Sequence, residues 1–274
     1  MPPWVCFQRG VPSQGSRTAR NASSVSPGSR SEFQHAGTTD IDVQVDLEIA
    51  CGAVNTARLE RALRNAEFEP DDTRTWRWIA VESRPTTVVK FELLADRGDI
   101  STQTVLKFED CENLGAVNLR GTGYASRDIE IHRLSARVGG HTLQAEINVS
   151  GLAGFLLAKL AAAHSRRKPK DWYDIAFVLL HNNAGGPDAA VDAVRARFAD
   201  ELPGAVTALR DLEANFADEL AQGTRAYVAQ MHLDHPEQDP TMLAADAQLV
   251  VSRFCQVLLS ATLQSSKTEL GRGQ

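Results

Sequence analysis

Asp40-Ile41-Asp42-Val43-Gln44-Val45-Asp46-Leu47-Glu48-Ile49 alternates polar and apolar residues without a break. A period of two sends successive side chains to opposite faces, so this stretch predicts a half-buried strand with one acidic face and one aliphatic face. Residues 53–67 carry Val54, Ala57, Leu59, Leu63 and Ala66 at helical spacing and predict a helix after it. Trp76 to Val81 and Val88 to Leu94 read as strands joined by a turn at Arg84-Pro85. Ile129 to Leu134 reads as another strand, and 134–149 as a hairpin turning at Gly139-Gly140. Residues 100–126 carry no clear period, and a loop is expected around Gly115 to Gly123.

From Gly151 the pattern becomes helical. Gly151 to Ser165 is apolar and alanine-rich, and Pro169 stands where a helix over 170–181 would begin. Further helices are expected over 188–198, 203–230 and 241–264. Residues 1–36 are rich in Ser, Arg, Gly and Pro, with no period, and read as a poorly ordered or degenerate segment. The expected organisation is therefore 1–36 without regular structure, an α/β domain over 37–150, and a helical domain over 151–274. The fold class is α+β: a mixed sheet with flanking helices followed by a helical bundle.

The 274 residues are 43 % hydrophobic and 23 % charged, ordinary for a globular protein. A net charge of -6 argues against a general electrostatic attraction to nucleic acid and leaves only local basic patches. No run of 18 or more apolar residues exists, so no membrane span is expected. The N-terminus lacks the apolar core of a secretory signal. Cys6, Cys51, Cys111 and Cys255 are scattered, with no zinc spacing, and read as reduced thiols of a cytoplasmic protein.

Two constellations carry chemistry. Asp40 and Asp42, two apart on a strand, aim both carboxylates at one face, where their repulsion calls for a cation between them. Magnesium accepts a few carboxylate oxygens and keeps its other positions for water or phosphate. The same spacing also suits a solvated strand face, since Gln44, Asp46 and Glu48 continue the polar side. Glu92, in Val88-Val89-Lys90-Phe91-Glu92-Leu93-Leu94, is the candidate third carboxylate, with Asp96 a substitute just past the strand. The second constellation is Lys159, a lone cation in an apolar helix, followed by Arg166-Arg167-Lys168-Pro169-Lys170-Asp171-Trp172-Tyr173-Asp174. A buried lysine needs a partner or must reach out to water. The basic run is the densest in the chain, where a triphosphate or an RNA backbone would be held. Asp171 in a first helical turn also suits the helix dipole, with surface ion pairs as the plainer alternative.

Together these stretches resemble the AbiEii/AbiGii toxin family of nucleotidyltransferases, within the DNA polymerase β-like superfamily. Gly37-Thr38-Thr39-Asp40-Ile41-Asp42-Val43 looks like that family's threonine and DxD strand. Val89 to Leu94 is similar to its strand with a third acidic residue. Lys159 and the Arg167-Lys168-Pro169-Lys170-Asp171-Trp172-Tyr173-Asp174 segment resemble its lysine helix and its KDxxD segment. The likeness covers roughly residues 37–181.

The resemblance implies magnesium (Mg2+) on Asp40, Asp42 and Glu92. It also implies a nucleoside triphosphate (NTP) substrate contacted by Ser29, Thr39, Arg167 and Lys170, with Lys159 also at the phosphates. Asp171 or Asp174 would orient a lysine or assist proton transfer. The implied acceptor is a hydroxyl on tRNA, another RNA or a protein, and the implied partner is a cognate antitoxin of a type IV system. Gly28-Ser29 stands at the superfamily's distance from Asp40, but Asn21 to Pro27 before it lack the apolar residues that surround that element in the family. The alternative reading is thus a relative with impaired triphosphate binding that acts by contact with a partner.

Overall fold

A computed structural model of the chain describes residues 4–8, 40–45, 56–83, 86–138 and 140–271. These fall into two compact units, one ending at Gly151 and the other starting at Leu152.

The first unit is built on a mixed sheet. Its strands are β1 (Trp4–Gln8), β2 (Asp40–Val45), β3 (Glu69–Asp71), β4 (Arg74–Ser83), β5 (Thr86–Ala95), β6 (Val105–Lys107), β7 (Gly115–Asn118), β8 (Ile129–Val138) and β9 (His141–Ser150). The order across the sheet is β3-β4-β5-β2-β1-β9-β8, with β7 joining the end of β5 and carrying β6. β2 runs parallel to β5 and antiparallel to β1. The alternation in β2 resolves as expected: Val43 and Val45 enter a core with Leu93, Ala95, Trp78, Leu114 and Ala116, while Ile41 and Phe91 pack at its margin. The helix α1 (Thr56–Asn65) closes this core with Leu59 and Leu63. Its first turn is pinned from a distant loop. Asp110 accepts from the Thr56 hydroxyl and from the Ala57 N–H (3.1 Å), and Glu60 accepts from the N–H groups of Glu112 and Asn113 (2.9 and 2.8 Å). A carboxylate at that helix end satisfies donors that the helix itself leaves open.

The stretch without a sequence period, 100–126, is ordered by single polar side chains. Asn118 is fully buried. It accepts from the Arg97 N–H (2.7 Å) and donates to the carbonyls of Arg97, Ile100 and Ser101. Asp96 Oδ2 accepts from the N–H groups of Gly121 and Gly123, both at 2.9 Å, and so organises the entry to the short helix α2 (Gly123–Arg127). Asp96 is thus engaged by backbone donors. The single hairpin expected over 134–149 is longer than that: β8 and β9 pair from Ile129↔Ser150 to Val138↔His141. Gly140, with φ +86°, takes the turn conformation that a side chain disfavours. Trp4–Gln8 is the other departure. It pairs with both β2 and β9, so the N-terminal stretch expected to lack regular structure does contribute a strand.

The second unit is helical: α3 (Leu152–Arg166), α4 (Pro169–His181), α5 (Pro187–Phe198), α6 (Leu202–Ala214), α7 (Gln222–Asp234) and α8 (Pro240–Gly271). The single helix expected over 203–230 is two. Phe216 is buried between them, and the Asn215 carbonyl accepts from the N–H groups of Gly223 and Thr224. A Cβ at Gly223 would lie 2.4 Å from the Phe216 ring, so only glycine fits this break. Residues 240–262 of α8 pass the length and hydropathy of a bilayer-crossing helix, with mean hydropathy 1.4. Within the unit, however, Leu243, Ala247, Val251, Phe254 and Leu258 of this helix are buried, against α4, α5, α6 and α7.

Two stability measurements follow. Asn118→Ala removes a buried donor–acceptor hub and is expected to cost about 2–3 kcal/mol in urea unfolding; a loss under about 0.5 kcal/mol would show that the 96–118 loops hold themselves. On α4, burial pulls the His181 imidazole below its ordinary 6.5; the neighbouring His235 adds to this and Asp246 opposes it. The unfolded chain therefore takes up this proton first as pH falls. The contribution of His181 to stability is whole above about pH 6.5 and is lost as the pH drops through the lower folded value. His181→Phe keeps the ring against Phe177 (centroids 4.6 Å apart) and is expected to flatten the fall in Tm between about pH 7 and pH 5.

Candidate functional site

Among the described residues, one largely buried set of charged side chains in each unit includes the residues singled out by the sequence. In the first, three adjacent strands present one row: Asp42 of β2 stands opposite Glu92 of β5, and Glu92 opposite Arg77 of β4. Residues in register share a face, here the face opposite the aliphatic core. Asp42 is buried, and Glu92 and Arg77 are mostly so, each with 17 % of its side chain exposed. Arg77 Nε donates to Glu92 Oε1 at 2.6 Å, and its Nη2 meets the same oxygen. Its Nη1 lies 3.9 Å from Asp71 Oδ2. Asp40 is placed by its backbone, opposite Lys90. Among the described residues, no group of three His, Cys, Asp or Glu side chains forms a metal cage. Thr39, Gly28 and Ser29 lie outside the described residues.

Two residues further along β2, Gln44 is buried and its Nε2 donates to the Val45 carbonyl (3.1 Å), while Oε1 has no hydrogen-bond partner among the described residues. Exchanging the two amide atoms would set oxygen against carbonyl oxygen and leave the nitrogen unpaired instead. Among the described residues, the face that holds Asp42 therefore also holds an unsatisfied acceptor.

The second cluster follows from a corner between two helices. α3 ends at Arg166. Arg167 adopts φ +50°, Lys168 is extended as a residue before proline must be, and Pro169 starts α4. This corner brings Asp171 back against the end of α3. Arg166 donates through Nε and Nη2 to the two oxygens of Asp171, both at 2.7 Å. Lys159, about two helical turns before Arg166 in an otherwise apolar segment, donates to Asp174 Oδ2 (2.5 Å) and Asp171 Oδ1 (3.4 Å). The Phe155 ring lies 5.7 Å from its ammonium. Lys159, Asp171 and Asp174 are all buried. The quartet is charge-balanced, two cations against two carboxylates, as burial demands.

Asp171 and Asp174 are therefore interior residues and not members of surface ion pairs along α4. The basic run is also partly spent: Arg166 serves Asp171, and Arg167 pairs with Asp211 (2.5 Å), which also meets His164 Nδ1 (3.1 Å). Lys170 is half-buried and Lys168 exposed. Two members of these clusters escaped sequence reasoning. Arg77 is a single charge between Trp76 and Trp78, a weak sign of a polar position on a strand. The Arg166–Asp171 pair spans five residues across a proline corner, a separation that no helix period flags.

A family model, that of the nucleotidyl transferase AbiEii toxin of type IV toxin–antitoxin systems, matches residues 116–256, more than half of the chain. The protein belongs to the AbiEii toxin family. No curated protein and no solved structure matches it. The family match begins in β7, so it takes in Lys159, Arg166, Asp171 and Asp174 and stops short of Asp42, Arg77 and Glu92. The buried quartet is thus the part of this AbiEii protein covered by the family match.

Lys159→Met leaves two buried carboxylates with one cation and is expected to cost about 3–5 kcal/mol in urea unfolding. Arg166→Met, at a side chain 30 % exposed, is expected to cost less. Equal stability of Lys159→Met and wild type would show that the ammonium is not what holds Asp171 and Asp174 inside.

Proposed function

We propose that this AbiEii toxin is a magnesium-dependent nucleotidyltransferase that moves a nucleotidyl group from an NTP to a hydroxyl on RNA or protein. The observation that carries the reading is the buried Lys159–Asp174–Asp171–Arg166 network within the family-matched stretch. A cation enclosed at this expense in desolvation is more than a helix needs for its own packing.

Asp40, Asp42 and Glu92 are the proposed cation ligands. The donor set fits: all three offer hard carboxylate oxygens, which magnesium prefers over nitrogen or sulfur. Asp42 and Glu92 pair in register, and among the described residues Arg77 occupies Oε1 of Glu92 and leaves Oε2. The bound ion would supply charge neutralisation at the phosphate and acidify the attacking hydroxyl. Asp171 and Asp174 orient Lys159, and Lys159 and Lys170 are assigned to the triphosphate. Ser29, Thr39 and Arg167 are assigned to the same ligand. Membership of a type IV toxin–antitoxin family implies a cognate antitoxin; tRNA or another RNA is the proposed acceptor.

The test is incubation of the protein with each labelled NTP, magnesium and total RNA, with wild type beside Asp42→Ala. Label is expected in RNA with one preferred NTP, and Asp42→Ala is expected to reduce it at least about a hundredfold. Equal labelling by both proteins sinks the cation assignment. Label found only in protein moves the acceptor from RNA to a polypeptide hydroxyl.

A further inference from the structure

We infer that Arg77 is the positioning residue of the carboxylate row: it holds Oε1 of Glu92 and so presents Oε2 on the face shared with Asp42. The inference rests on the proposed cation site and names a residue that the family match does not reach.

The argument is geometric. Neighbouring strands are about 4.8 Å apart, so Asp42 and Glu92, paired in register, put two like charges side by side. Left alone they repel, and a glutamate has enough rotatable bonds to swing away. Arg77 stands on the other side of Glu92 in the same row. Its Nε and Nη2 both fall on Oε1, a two-donor, charge-assisted grip that anchors that oxygen. The guanidinium is itself set from behind. Asp71 Oδ1 accepts from the Thr73 N–H (2.8 Å) and hydroxyl (2.7 Å), which leaves Oδ2 facing Arg77 Nη1. The order Thr73, Asp71, Arg77, Glu92 is therefore a chain of single-atom contacts leading to the row's acidic end. Arg77, Glu92 and Asp71 are each under 20 % exposed, unlike a surface ion pair. Such outer groups orient metal ligands, and their loss typically weakens metal affinity 10- to 100-fold.

The probe is Mn2+, titrated into the intact chain and followed by the electron paramagnetic resonance signal of free and bound ion, with Tm recorded for every variant. R77M is expected to bind Mn2+ 10- to 100-fold more weakly than wild type and to change the line shape of the bound ion. R77K keeps the charge but not the two-donor grip, and is expected to fall between them. E92Q is expected to match R77M, and the double variant to lose no more than either alone. Wild-type Mn2+ affinity and line shape in a folded R77M overturn the role of Arg77 while leaving the cation site standing. If R77M does not fold, wild-type binding by R77K overturns it equally. A wild-type protein that binds no Mn2+ removes the cation site itself, and the positioning role with it.

Discussion

A lysine ammonium in the middle of an apolar helix must be answered by charge, and the helical unit is arranged around that requirement. Lys159 is buried with 5 % of its side chain exposed, and α4 returns across a proline corner to offer Asp174 and Asp171. Two carboxylates against one ammonium would leave a buried negative charge, and Arg166 supplies the balance. Breaking any one contact strands another charge, so the corner, the first two turns of α4 and the end of α3 are fixed as one piece. The exposed side of that corner is tied down separately, through Arg167 and His164 on Asp211 of α6.

The sheet unit meets a similar problem with less burial. There a row of side chains across three strands holds two carboxylates, and the Arg77 guanidinium grips one of them, Glu92. The two arrangements differ in a way that suits different tasks. The helical quartet sets two cations against two carboxylates. In the strand row, Asp42 and Asp71 stand beside the Arg77–Glu92 pair. The helical set ties two helices together, and the strand row is the proposed cation site.

Much of this was legible along the chain. The alternation from Asp40 fixed a strand and its two faces, and the aliphatic face is indeed the core side. The Pro169 signal located the start of α4, and the hairpin turn at Gly139-Gly140 was placed within a residue. Lys159 announced itself as a charge in the wrong company, and the KDxxD spacing with it pointed to the family. What stayed hidden were joins. Residues 100–126 have no period because Asn118 and Asp96 order them through backbone contacts, and such contacts leave no hydrophobic rhythm. The break after Ala214 was missed because alanine, leucine and aspartate read as helix on both sides, while the decisive contact is Phe216 against Gly223.

The sequence by itself determined the elements, their faces, the family, and the residue types able to bind a cation or carry a buried charge, since these depend on local period and chemistry. Only the tertiary structure decided which charges meet. It set Lys159 on Asp174, turned Arg166 onto Asp171, and set Arg77 beside Glu92. Pairing of this kind depends on strand register and on the path of a corner. Both are set by contacts between residues distant in the chain, and no local pattern records them.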